Sequence, residues 1–173
     1  MIQMVSAEKL KEKAYNLAFE YEAELGSCPQ CVLAAIKETL DIGDESTIKS
    51  ADGLAGGTAL SSKGTCGALV GGMLAISSIS GRKYKDFKDG KKNRRVFQFV
   101  KILYDRFIGE YGSPLCCDVQ EKIFGRSFNL MDPNEYKEFE KAGAHVDKCP
   151  TVSGKTASWT VDIILKYMTD YKK

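Results

Sequence analysis

Six cysteines and one histidine are the residues of this chain best suited to redox or metal chemistry. Cys28 and Cys149 each precede a proline, Cys66 opens an apolar Gly-rich segment, and Cys116 and Cys117 follow Ser113-Pro114. Proline suits the first helical position and keeps the residue before it out of helical geometry. Cys28-Pro29 and Cys149-Pro150 therefore read as helix starts. A helix start presents unpaired N–H groups and a partial positive charge, which lower a thiol's pKa and favour thiolate. Several such starts brought together would bind soft metal ions or carry out thiol redox chemistry.

The spacing leaves more than one chemistry open. Cys28-Pro29-Gln30-Cys31 is a C-x-x-C at a helix N-terminus, as in dithiol oxidoreductases. Those enzymes carry it after a strand in a βαβ unit, whereas here it follows a helix and Gly26-Ser27. In this metal-free reading Cys28 and Cys31 are the catalytic pair and the other cysteines their partners. A zinc-stabilised interaction module is a further alternative, although zinc sites pair one C-x-x-C with a second close pair and Cys116-Cys117 has the wrong spacing. Iron–sulfur clusters accept more scattered thiolates. Free cysteine is also a small buried hydrophobe, but packing does not require placement at helix starts. Val32 follows Cys31, so there is no C-x-x-C-H and covalent haem is excluded. His145, in Gly143-Ala144-His145, reads as a surface turn residue close enough to Cys149 to tune a thiol. Asp118 and Glu121 flank Cys116 and Cys117 and fit a charged helix face.

These residues need a scaffold, and 173 residues suffice for one domain (1–173) that closes its own core. Ser6 caps a helix to about Leu25, its buried face read as Leu10, Ala14, Leu17, Ala18, Tyr21 and Leu25. Further helices are expected over 29–40, 44–51, 66–80, 91–111, from Ser113-Pro114 to Phe124, 133–142, and from Pro150 to Tyr167 or beyond. Residues 53–64 read as loop, and no alternating strand or repeat is present. The expected fold is all-α, a bundle of about six to eight helices around the apolar Gly-rich helix 66–80. Gly67, Gly71 and Gly72 each cost that helix about 1 kcal/mol relative to Ala. Close helix packing accounts for them, and Gly67 also leaves room beside Cys66 for a cluster or a disulfide partner.

Composition narrows the setting. A net charge of +2 gives no overall case for nucleic acid or an anionic membrane. Arg82–Arg95 nevertheless holds eight Lys/Arg against two Asp, a solvated face or a docking patch for an acidic redox partner. The N-terminus MIQMVSAEKLKEK has no apolar core of a signal peptide, and the most apolar stretch, Ala68–Ile79, is too short to span a bilayer. The cytoplasm is the expected compartment, where metal binding or redox chemistry is a commoner use of six cysteines than disulfides. Amphipathic outer helices leave room for a homodimer.

Read in order, four segments form a pattern: Cys28-Pro-Gln-Cys-Val-Leu, Gly64-Thr-Cys-Gly-Ala-Leu-Val-Gly, Tyr111-Gly-Ser-Pro-Leu-Cys116, and Cys149 ahead of a Trp-bearing final helix. The pattern resembles the C_GCAxxG_C_C family of redox-active proteins. Cys66-Gly67-Ala68-Leu69-Val70-Gly71 is its C-G-A-x-x-G box, and the resemblance runs from about Gly26 to Leu165. It implies redox or electron-transfer work. It is similar as well to the cysteine-bearing domain of split-Soret cytochromes, which is associated with an iron–sulfur centre. That comparison implies Cys28, Cys66, Cys116 and Cys149 as ligands of a cluster, two-iron favoured, with Gly67 beside it. Cys31 and Cys117 fall outside the four-cysteine pattern and are auxiliary at most.

Overall fold

The computed structural model describes residues 6–168. Met1–Val5, on which part of the leader reading rests, and any continuation of the last helix beyond 168 lie outside them. The nine α-helices among the described residues are α1 (Ala7–Glu24), α2 (Cys28–Leu40), α3 (Glu45–Ser50), α4 (Gly67–Ser80), α5 (Tyr84–Lys88), α6 (Arg95–Tyr111), α7 (Cys116–Phe124), α8 (Pro133–Lys141) and α9 (Cys149–Tyr167). The described residues contain no strand, and the fold is all-α. The sequence expectation counted eight helices at most. The ninth is α5, a single charged turn hidden in the Lys-rich connection.

Local chemistry sets the starts. Ser6 Oγ accepts from the Lys9 N–H, Asp44 from Thr47, and Asp132 from Asn134 and Glu135, satisfying amides that the first turn of a helix leaves open. Pro29, Pro133 and Pro150 each sit at the start of their helices, where a missing N–H costs nothing. The helix expected from Ser113-Pro114 begins at Cys116 instead. Leu115 stays extended because it forms an antiparallel bridge with Thr65.

Helix α4 is the centre. It packs on α2, α6 and α9, while α1 lies along α9 and α2. Its small residues permit that approach. A Cβ on Gly71 would stand 2.6 Å from the Pro29 carbonyl oxygen, and one on Gly72 would stand 2.6 Å from Thr160 Oγ1 and 2.7 Å from Leu103 Cδ2. Its own Leu69 and Ile76, and Leu33, Ile36, Leu103, Phe107, Ile163 and Ile164 from the neighbouring helices, are fully buried, each worth about 1.5–3 kcal/mol of burial. A second, smaller apolar cluster joins Phe128, Leu130, Phe139 and Ala144, with Phe124 against it. Its aromatic rings meet edge-on or tilted at centroid separations of 5.4–5.5 Å. The seam between the two clusters is where the chemistry-bearing side chains collect.

Candidate functional site

Four helices start at this seam. Cys28 and Cys149 are the first residues of α2 and α9, Cys116 is the first of α7, and Cys66 is the N-cap of α4. Two segments distant in sequence are stitched together there. The Cys66 N–H donates to the Pro114 carbonyl (2.7 Å), the Cys116 N–H to Gly64 (2.9 Å) and the Cys117 N–H to Ser62 (2.7 Å). Cys28, Cys66, Cys116 and Cys149 all line one cavity of about 200 Å³. Cys31 does not. It lines a neighbouring groove with Tyr21 and Glu38, and its thiol donates to the Gly26 carbonyl at 2.8 Å. Cys117 lines neither space and lies beside Asp118. All six cysteines are free thiols.

One wall of the cavity is backbone held in an uncommon form. Gly56, Gly57, Thr58, Ala59 and Leu60 all have φ between 51° and 70°, five consecutive residues in the left-handed region. Each of the three with a side chain costs roughly 1–2 kcal/mol there. Hydrogen bonds from Thr58 to Leu54, Leu60 to Ala55, Ser62 to Gly56 and Gly64 to Gly57 hold the segment in place. Its fit against the thiols is close. A Cβ on Gly57 would stand 2.6 Å from the Cys116 Cβ, and the Gly56 amide faces the Cys28 thiol. Across the cavity, a Cβ on Gly67 would meet Cys28 Sγ at 2.6 Å. Both expectations for the glycines thus have a physical basis: Gly71 and Gly72 admit neighbouring helices, and Gly67 makes room for a sulfur.

The thiols are not the low-pKa groups that helix starts alone would give. Burial pushes Cys28 and Cys149 well above the ordinary thiol value, and the nearby Glu22 carboxyl adds to the effect. Burial, with Cys116 close by, holds Cys66 up at about 12, although the Ala68 and Leu69 amides at the head of α4 draw it partway back. Cys116 is pushed up to about 11 by burial, against the pull of the Gln120 amide. Cys31 and Cys117 are raised by burial as well. The helix-start argument omitted desolvation, which is the larger effect when the thiol is enclosed.

Glu22 is the residue that sequence reasoning missed. Only 2% exposed, it lines the cavity from the end of α1. The Ser153 hydroxyl donates to its Oε2 (3.2 Å) and His145 Nε2 lies 3.8 Å from Oε1. Burial raises its pKa, and His145, Cys31 and Ser153 offset part of that rise. The signal was available in spacing: Ala14, Ala18 and Glu22 recur every fourth residue on the buried face of α1. Leu25, assigned to that face, is instead 75% exposed. His145 also departs from expectation. It belongs to a π-helical turn, Ala144–Lys148, that runs directly into α9. Its Nδ1 is 2.6 Å from Glu140 Oε1, and its ring stands edge-on to Phe139 inside the cavity lining. Gln120, also buried, presents Nε2 at 3.4 Å to both Cys116 Sγ and Ser62 Oγ and accepts from the Phe128 N–H through Oε1.

The donor set suits a soft metal centre: four thiols on one cavity, Cys66 and Cys116 buried and Cys28 and Cys149 part-buried, and a glycine where a Cβ would strike a sulfur. Among the described residues, no three His, Cys, Asp or Glu side chains stand together as ligands of a single ion. A two-iron cluster takes two ligands per iron and so asks for pairs of thiols rather than four donors about one point. None of the described helices is long and apolar enough to cross a membrane. No curated protein and no solved structure matches the chain. Residues 26–163, which include all six cysteines, match a family model described as "Putative redox-active protein (C_GCAxxG_C_C)". The chain belongs to the C_GCAxxG_C_C family.

Proposed function

We propose that Cys28, Cys66, Cys116 and Cys149 hold an iron–sulfur cluster, the two-iron form favoured, and that the protein is a cytoplasmic electron carrier. The observation that carries this reading is that these four thiols, and not the other two, line one cavity. When bound, such a cluster supplies one-electron oxidation and reduction. The chain's own part is electrostatic. The Ala68 and Leu69 amides at the head of α4 face the Cys66 sulfur and the Gly56 amide faces Cys28, favouring thiolates that burial would otherwise keep protonated. Amide donors such as Gln120 Nε2 beside Cys116 raise the potential of a thiolate-bound centre. Cys31 and Cys117 are neighbours rather than ligands in this reading.

The metal-free dithiol reading draws less support. Cys28 and Cys31 line different spaces, and burial raises both thiols, the opposite of an activated nucleophile. A zinc module needs four donors about 2.3 Å from one point, an arrangement not formed among the described residues. A redox partner would exchange electrons at the thiol end. The basic segment 82–95 follows the opposite end of α4, about 21 Å along the helix axis from Cys66.

Purification without oxygen tests the proposal. We expect a coloured protein with roughly two iron and two sulfide per chain. Serine at any one of the four cavity cysteines should remove most of the iron, and Cys117→Ser should retain it. Colourless, iron-free protein from oxygen-free cells, or iron loading indifferent to Cys66→Ser, would sink the assignment.

A further inference from the structure

The segment at the far end of α4 has no part in the thiol cavity, and its composition is unlike the rest of the molecule. Residues 82–95 carry a net charge of +6, which leaves −4 on the remainder of the chain. Lys85 pairs with Asp89 and Lys91 with Asp86, the only acidic residues in the segment. Arg82, Lys83, Lys88, Lys92, Arg94 and Arg95 have no carboxylate partner among the described residues. The segment lies at the surface: of its fourteen residues, only Asp86 and Asn93 are half-buried and the rest are exposed. It is nonetheless built rather than loose. Asn93 caps the Ser80 carbonyl at the end of α4, and Arg82 Nη1 donates to the Lys91 carbonyl (3.0 Å).

Aromatic side chains accompany the charge. Tyr84 (78%), Phe97 (69%) and Phe87 (57%) are the only aromatic residues more than half exposed among the described residues, and all lie within or two residues beyond this segment. An exposed ring loses favourable burial, and three in one stretch mark a surface meant to be covered. Cations interleaved with exposed aromatics match the chemistry of a membrane interface, where rings enter the headgroup boundary and Lys/Arg meet anionic lipid. An acidic protein surface would use the charges without needing three exposed rings, of which Phe87 carries the Arg82 guanidinium 5.3 Å over its face. A single nucleic-acid strand is held in a groove with stacking platforms, and residues 82–97 line none of the cavities described above.

We propose that residues 82–97 form a peripheral docking surface for an anionic lipid bilayer, at the end of α4 opposite the thiols. The near-neutral total conceals this because +6 within fourteen residues is offset by −4 spread over the rest of the chain. The proposal is independent of the cluster assignment and holds for apo or loaded protein.

Sedimentation with lipid vesicles tests it, using full-length protein and Cys28→Ser alike. Both should partition onto phosphatidylcholine vesicles containing phosphatidylglycerol, bind phosphatidylcholine alone far more weakly, and detach as salt is raised. Each lysine removed should lower partition about fivefold, so Lys83→Ala, Lys88→Ala and Lys92→Ala together should lower it on the order of a hundredfold. Tyr84→Ser, Phe87→Ser and Phe97→Ser together should reduce binding about tenfold at unchanged charge. Absence of partition at low salt, or partition unmoved by the lysine substitutions, overturns the proposal. Tighter binding to polyuridylate than to the anionic vesicles would overturn it in favour of a nucleic-acid face.

Discussion

The two ends of α4 solve opposite problems with the same kind of backbone. At the Cys66 end, a left-handed stretch, four helix starts and a buried carboxyl close around a cavity. At the Ser80 end, a single-turn helix and a positive-φ glycine, Gly90, present cations and partly exposed rings to solvent. One end is specified by packing, so almost every atom has a neighbour that constrains it. The other is specified by charge, so its side chains are nearly independent. Sensitivity to pH, to added volume and to surface substitution should differ accordingly.

Alkali should separate the ends most. Below pH 9.0, the ordinary thiol value, folded and unfolded thiols are both protonated and the buried set is at no disadvantage. Above it the unfolded chain ionises, while Cys66 holds its proton to about 12 and Cys116 to about 11. The folded state then binds more protons than the unfolded, so stability falls as pH rises through these values. At about 1.4 kcal/mol per unit, these two thiols alone should cost on the order of 5 kcal/mol by pH 11. Denaturant melts of reduced, metal-free protein, compared with Cys66→Ser/Cys116→Ser across pH 8–11, would measure it. If the two proteins decline in parallel, the thiols are not enclosed as described.

Gly57 and Gly90 make a matched pair, with φ of +70° and +68°. A Cβ on Gly57 would meet the Cys116 Cβ at 2.6 Å and the Ser62 backbone at 2.9 Å, whereas one on Gly90 meets nothing within 4 Å. Alanine at Gly90 should therefore cost only the left-handed penalty, roughly 1 kcal/mol. Alanine at Gly57 adds overpacking against backbone, for a total of about 3 kcal/mol. Chemical denaturation of the two variants checks this directly. Equal losses would mean that the wall opposite Cys116 can yield.

How much of this was legible follows the same division. Helix α4 was readable to within a residue, because its continuous apolar run and the glycine that ends it are local signals. Proline and glycine marked all the cysteines as lying near helix starts, and the resemblance to the family pattern set four of them apart from Cys31 and Cys117. What could not be read required knowledge of a distant partner. The delayed start of α7 depends on Thr65, fifty residues away from Leu115. The left-handed run after Gly56-Gly57 includes Thr58 and Leu60, residues whose own preferences oppose it and which only surrounding hydrogen bonds hold there. Glu22 was hidden by its type, since a carboxylate in an apolar stripe is discounted unless Ser153 and His145 are known to wait opposite. Thiol acidity was misjudged for a related reason: helix dipoles are written in sequence, and burial is not.

The smallest effect is expected where the charges are densest. Lys88 and Tyr84 are exposed and Lys88 lacks a carboxylate partner among the described residues, so Lys88→Glu and Tyr84→Ser break no packed or paired contact. Surface substitutions of this kind move stability by no more than about 0.5 kcal/mol. Thermal melts of both variants should thus overlay the parent, and iron loading at the thiol end should be unaltered. Their partition onto anionic vesicles should fall nonetheless. Loss of stability alongside loss of binding would show that the cationic turn supports the bundle, which would dissolve the contrast between a packed end and a charged one.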